Sequence, residues 1–121
     1  MPLCRGDFFL EVPAGKREAG ETHEEGLIRE VREETGYMSV QKPIFLGEFM
    51  VNPATQNNKV ISYLIMDAFK QYDQKLDDTE EIKVHLIDFE EFGEMLMRQE
   101  LPAQLFTAHA YLLAKNYLNH L

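Results

Sequence analysis

The stretch that decides the reading is Gly15-Lys16-Arg17-Glu18-Ala19-Gly20-Glu21-Thr22-His23-Glu24-Glu25-Gly26-Leu27-Ile28-Arg29-Glu30-Val31-Arg32-Glu33-Glu34-Thr35-Gly36-Tyr37. Within it, Thr22-His23-Glu24-Glu25 has the Ser/Thr-x-x-Glu form of a capping box, in which two side chains satisfy free amides at a helix start. Leu27, Ile28 and Val31 follow at helical spacing, which predicts a helix from about Thr22 to Thr35. Gly36 sits just past its last turn, where a left-handed residue commonly ends a helix. Upstream, Phe8 to Val12 is short, apolar and rich in strand formers, and Pro13-Ala14-Gly15 stops it. A strand and then a loop are expected ahead of the helix.

Glu30, Glu33 and Glu34 stand at i, i+3 and i+4, which brings three carboxylates onto one helical face. Such crowding is unfavourable by itself: like charges at this spacing cost a few tenths of a kcal/mol each. Acids in a last turn also meet the negative end of the helix dipole, at roughly 0.3 to 1 kcal/mol more each. A hard divalent cation relieves both terms, and magnesium is commonly held by a few carboxylates while keeping water and phosphate oxygens in its shell. A solvated helix face is the competing reading of an acidic triplet.

Beyond the helix, Ile44 to Val51 and Val60 to Phe69 are strand-like, joined by a polar surface loop from Asn52 to Lys59. An acidic loop, Leu76 to Glu81, leads into Ile82 to Ile87, which reads as another strand. Glu90 to Arg98 forms a short amphipathic helix. Pro102 sits where a further helix could begin, with Leu105, Phe106, His109, Leu112, Leu113 and Tyr117 on its apolar stripe. His85 and His109 are expected to be packed histidines, and Phe8, Phe45, Phe49, Phe89, Phe92 and the methionines core residues.

With 121 residues, 45% of them apolar and 27% charged, the chain has the make-up of one globular domain spanning residues 1–121. The formal net charge of -9 disfavours nucleic acid and anionic membrane as partners. An anionic substrate has to be met through metal ions and a local basic group. Cys4 is the only cysteine, which excludes an intrachain disulfide and a thiolate metal cluster and fits a reducing, cytoplasmic setting. No apolar run approaches the roughly 18 residues of a membrane span, and nothing indicates export.

Counted from Gly15, the chain runs glycine, five residues, Glu21, seven residues, Arg29-Glu30-Val31, one residue, Glu33-Glu34, one residue, Gly36, Tyr37. This resembles the Nudix box, G-x5-E-x7-R-E-U-x-E-E-x-G-U, at every fixed position. The last U is usually a bulky aliphatic residue, and Tyr37 is a mild departure that bears on packing more than on chemistry. The resemblance implies an α+β Nudix fold, a mixed sheet sandwiched between helices, and a magnesium-dependent hydrolase, with manganese as a substitute metal. It makes Glu30 and Glu34 the principal metal ligands, Glu33 a further ligand or base, and the Ala14 carbonyl another ligand. Gly15, Glu21, Arg29 and Gly36 are then structural, with Glu21 and Arg29 pairing to hold the loop against the helix. Two or three bound metal ions would clamp a diphosphate and activate a water, with a nearby carboxylate taking the proton.

Glu11-Val12-Pro13-Ala14-Gly15 resembles the E-x-P-A-G lead-in of ADP-ribose pyrophosphatases and related nucleotide-sugar hydrolases. Pro53, sixteen residues after Tyr37, has a placement associated with the same subgroup, though a loop proline is also structurally ordinary. The subgroup often takes its base from a late acidic loop, and Asp77, Asp78, Glu80 and Glu81 occupy that stretch, with Glu80 the first choice. A solvated acidic turn is the alternative there. Family domains usually have two or three strands before E-x-P-A-G, and only ten residues precede it here. Arg5 stands there either as part of a substrate grip or as a solvated terminal residue. A sheet without those strands has an open edge, which predicts a homodimer. Three functions compete: hydrolysis of ADP-ribose or a similar nucleotide sugar, hydrolysis of a nucleoside triphosphate or dinucleotide with the same site, and noncatalytic binding of a nucleotide. The intact glutamate triplet argues against the third.

Overall fold

The computed structural model describes residues 10–52, 59–100 and 102–121. Two compact units divide the chain. The first is Pro13–Phe45 with Tyr63–Val84, and the second gathers the described residues of Met1–Val12, Leu46–Ser62 and His85–Leu121.

The first unit is organised by helix α1, His23–Thr35. Thr22 caps it: its hydroxyl accepts from the Glu25 amide at 3.1 Å, and the Glu25 carboxylate accepts from the Thr22 amide at 2.8 Å. Caps of this kind contribute ~1 kcal/mol each. The helix ends at Gly36, which adopts φ 79° and donates its amide to the Arg32 carbonyl at 2.8 Å. Strand β1, Tyr37–Met38, follows directly. Strands β2, Ile44–Met50, and β3, Lys59–Leu64, most of whose residues belong to the second unit, pair in a two-stranded sheet. Strand β4, Phe69–Lys70, pairs antiparallel with β1, setting Tyr37 opposite Lys70 and Met38 opposite Phe69.

Gly36 also receives the chain that leaves β4. Its carbonyl accepts from the amides of Gln71 at 2.9 Å and Tyr72 at 3.0 Å, and a Cβ built on it would overlap the Tyr72 carbonyl oxygen. Positive φ and close backbone approach therefore both demand glycine here.

The predicted strand from Val60 to Phe69 is broken in two. Asp67 takes a left-handed φ of 54°, the Ser39 hydroxyl donates to the Met66 carbonyl at 2.6 Å, and Gln41 donates to the Asp67 carboxylate at 2.5 Å. These side chains hold a corner that residue types alone do not announce. The predicted strand from Ile82 to Ile87 has no regular structure, and its Leu86 is 78% exposed. An apolar run makes a strand only when a neighbour supplies a ladder, and none of the described strands pairs with it.

In the second unit, helix α2 runs Phe89–Arg98 and helix α3 Leu105–Asn119. The Asp88 carboxylate caps α2 by accepting from the Glu91 amide at 3.2 Å. Tyr111 is buried, stacked on Phe89 at 4.7 Å between centroids and tilted against Phe92 at 5.8 Å. Gly93 makes room for it, since a Cβ there would overlap the Tyr111 hydroxyl. Aromatic pairs of this sort add about 0.5–1.5 kcal/mol beyond the area they bury. At the start of the described chain, Leu10 forms a parallel bridge with Ala103, its amide donating to the Pro102 carbonyl at 2.9 Å.

Phe89 and Phe92 are half-buried against Tyr111, whereas Phe45 and Phe49 are 58% and 46% exposed and Met50 and Met97 are exposed too, so these four are not core residues; Phe8 lies outside the described residues. His85 is exposed rather than packed, because its segment is not a strand. His109 is half-buried, with its ring edge-on to Phe49 at 4.8 Å. Among the described residues, no helix is long and apolar enough to cross a membrane.

Candidate active site

Everything described of the candidate site belongs to the first unit. Its organising side chain is Arg29, which faces the loop between Gly15 and Glu21. The guanidinium grips both oxygens of Glu21, Nε to Oε2 at 2.8 Å and Nη2 to Oε1 at 3.2 Å, and Nη2 also donates to the Lys16 carbonyl at 3.0 Å. Glu21 in turn accepts from the Glu18 amide at 2.6 Å. Hydrogen bonding to Arg29, helped by the Glu18 amide, holds the Glu21 carboxyl below its usual range; Glu21 likewise raises Arg29. Gly26 is buried where helix and loop touch, with Arg17 and Glu21 close enough to crowd any side chain. A residue with a Cβ at position 26 would push the loop away.

The same guanidinium reaches along α1. Its Nη1 donates to Glu30 Oε1 at 2.9 Å and to Glu33 Oε1 at 3.1 Å. The Arg29 side chain is 15% exposed and those of Glu30 and Glu33 19% and 28%, so this is a partly shielded network rather than a set of screened surface pairs. The loop backbone also closes on Glu30 and Glu34. Gly15 lies so near the Glu30 carboxyl that a Cβ there would overlap it. The Ala14 amide donates to Glu34 Oε1 at 3.2 Å.

Burial pushes the Glu34 carboxyl up to about 7; the Ala14 amide opposes that, while Glu30 and Glu80 add to it. Glu80 thus acts electrostatically on Glu34 although 46 positions separate them. Its own loop is a defined turn. The Glu80 carboxylate accepts from the Asp77 amide at 3.0 Å, and Thr79 donates its amide and hydroxyl to Asp77 at 2.9 and 2.7 Å, which lowers the Asp77 carboxyl.

The donors fit a hard divalent cation in chemistry: all are oxygens, and Glu30 and Glu34 crowd like charge beneath a backbone cradle that a Cβ would fill. Among the described residues, however, no three His, Cys, Asp or Glu side chains converge as a ready cation cage. The reason is visible in the hydrogen bonds, since Arg29 holds Glu30 and Glu33 while Ala14 holds Glu34. The Ala14 group seen at the site is its amide.

Arg5 and Pro53 lie outside the described residues. Sequence reasoning missed Gln74 and Lys75. The Gln74 carboxamide donates to the Glu34 carbonyl at 2.7 Å and the Lys75 amide to the Glu33 carbonyl at 2.8 Å, so this segment finishes the end of α1 that bears the acids. Main-chain carbonyls carry no residue-type signal, and nothing in the composition of that segment could have pointed to them.

A glycine-bearing loop pinned by an Arg–Glu pair across a helix with three acids in its last turns defines a loop–helix acidic-site domain of α+β class. Residues 3–112 match the family model described as NUDIX domain, and the chain belongs to that family. It is 34% identical over 88 residues to a Caenorhabditis elegans protein named "Putative nudix hydrolase 2", covering 69% of this chain and 40% of that protein. It is 62% identical over 34 residues to "Putative nudix hydrolase 1" of the same organism, covering 28% of this chain and 9% of that protein. The chain thus spans at most about two fifths of either relative.

Proposed function

We propose that this chain is a metal-dependent Nudix pyrophosphatase that splits the diphosphate link of a nucleoside diphosphate derivative, ADP-ribose or a related nucleotide sugar. Water adds to one phosphorus, the bridging P–O bond breaks, and the products are a nucleoside monophosphate and a sugar phosphate. The observation that carries the reading is the closure of the Ala14-Gly15 backbone over Glu30 and Glu34, which sets two carboxylates of one helical face beside a backbone cradle that a Cβ would fill.

Glu30, Glu33 and Glu34, with the Ala14 carbonyl, would hold magnesium or manganese. When bound, such ions neutralise a diphosphate and lower the pKa of a water. Arg29 and Glu21 keep the loop and the acids in place, Gly15 allows the loop to approach Glu30, and Gly36 allows the close approach of the Tyr72 backbone at the end of α1. Glu80, or alternatively Glu33 or Glu34, takes the proton from the attacking water. The Glu11-Val12-Pro13-Ala14-Gly15 lead-in and Pro53 support a nucleotide sugar, and Arg5 is assigned to substrate contact. A single Nudix domain over residues 1–121, a homodimer and a cytoplasmic setting complete the proposal. Phe45 and Phe49 on β2, both substantially exposed, support association.

The test is a panel of nucleotide sugars, nucleoside triphosphates and dinucleotides with purified protein, with and without magnesium, beside a Glu34→Gln control. Magnesium-dependent release of a nucleoside monophosphate from a nucleotide sugar is expected. Faster turnover of triphosphates or dinucleotides would overturn the substrate assignment, and turnover of nothing would overturn the enzyme.

A further inference from the structure

Gln74 is an exposed residue before the acidic loop, and its amide nitrogen makes two hydrogen bonds to main-chain carbonyls. One goes to Glu34 at 2.7 Å, in the last turn of α1; the other goes to Ile82 at 3.1 Å, eight residues along, just beyond Glu80 and Glu81. A carboxamide has two N–H donors on one nitrogen, and both are spent here. One side chain therefore closes the base of the acidic loop and fastens that base to the turn that carries Glu34.

From this juxtaposition we infer that Gln74 is a positioning residue, holding Glu80 in register with Glu34. The inference rests on the pyrophosphatase reading above. Glu80 has no hydrogen bond of its own to α1 among the described contacts, and its carboxylate is engaged within its own loop, by the Asp77 amide. Its place relative to Glu34 is consequently set by how the loop is anchored. On the near side, the Lys75 amide also bonds the Glu33 carbonyl, so that side keeps a tether without Gln74. On the far side, the Ile82 carbonyl bonds Gln74 alone among the described contacts, so that side depends on the carboxamide.

The residue requirement is narrow. Glutamate has the length of glutamine but no N–H to donate when ionised, and it would set negative charge against two carbonyl oxygens. Alanine removes both bonds without that repulsion. Helix α1 keeps its Lys75 and Gly36 bonds in either variant, so the fold survives.

The experiment compares wild type, Gln74→Glu and Gln74→Ala in three measurements: steady-state kinetics on the nucleotide sugar turned over in the panel, Mn2+ affinity by electron paramagnetic resonance, and amide hydrogen exchange across residues 76–82. Both variants should lose roughly 10- to 100-fold in kcat, the scale expected when a reacting group is misplaced by about an ångström. KM and Mn2+ affinity should stay within about twofold, and exchange across 76–82 should speed up. Unchanged exchange would overturn the anchoring. Faster exchange with unchanged kcat would overturn the positioning role, as would a loss of Mn2+ affinity matching the loss of kcat, which would make Gln74 a support for the ligands. Wild-type protein that hydrolyses no diphosphate would sink the underlying function instead, and is told apart because the unaltered chain fails.

Discussion

Arg29 and Glu21 meet through two hydrogen bonds, Nε to Oε2 at 2.8 Å and Nη2 to Oε1 at 3.2 Å, and this pair decides where the Gly15–Glu21 loop lies against α1. Because the same guanidinium also holds Glu30 and Glu33, loop placement and carboxylate placement are one event. Arg29→Ala and Glu21→Ala should each weaken Mn2+ binding roughly 10- to 100-fold, as loss of a group that orients metal ligands commonly does. In a double-mutant cycle the two losses should fall well short of adding. Additive losses would show that the pair does not act as a unit.

At Gly15 the contact is with the far end of a flexible side chain. Gly15→Ala should displace the Glu30 carboxyl while the backbone stays in place. Thermal stability is expected to change little, and Mn2+ affinity to fall. A variant that binds metal as wild type does would separate Glu30 from the site.

Gly20 and Gly36 provide an internal comparison. Both have positive φ, 85° and 79°, yet a Cβ on Gly20 meets open space while one on Gly36 overlaps the Tyr72 carbonyl. Gly20→Ala should cost about 1–2 kcal/mol from backbone conformation alone. Gly36→Ala should cost more, because backbone has to move. Equal losses in chemical denaturation would refute the close approach.

Glu34 makes stability depend on pH with a definite sign. Its carboxyl is raised to about 7 in the folded chain against an ordinary 4.5 when unfolded, so between those values the folded state holds more proton. That contribution is complete below about 4.5 and is lost as pH rises through about 7. Metal-free protein should therefore lose Tm across this window relative to Glu34→Gln, which does not titrate. Magnesium should restore more of it at pH 8 than at pH 5.5. Parallel Tm curves for the two proteins would remove Glu34 as the source.

Glu80→Gln tests the role proposed for Glu80 as proton acceptor directly. Turnover should drop about 10²- to 10⁴-fold, the usual contribution of a general base, with Mn2+ affinity close to that of wild type. Near-normal rates would shift the role to Glu33 or Glu34.

Most of the first unit was legible because its signals are local. A capping box, an apolar stripe and a terminal glycine each act within four residues or so, and α1 forms from His23 to Thr35 with Thr22 and Gly36 at its ends. The helices Phe89–Arg98 and Leu105–Asn119 were legible for the same reason, as period-3.6 patterns. The extended segments were less so. Val60 to Phe69 breaks at Asp67, and Ile82 to Ile87 stays irregular, because a strand exists only where a second segment offers hydrogen bonds.

By itself, then, the order of residues determined which acids share a helical face and which glycine ends that helix, since both follow from backbone geometry over a few positions. Tertiary structure alone decided that Arg29 also donates to the Lys16 carbonyl, that Ala14 and Gly15 close over Glu34 and Glu30, and that Gln74 ties the acidic loop to α1. Those contacts join segments far apart in the chain, several through main-chain amides and carbonyls common to nearly every residue type, and so they leave no mark in the sequence.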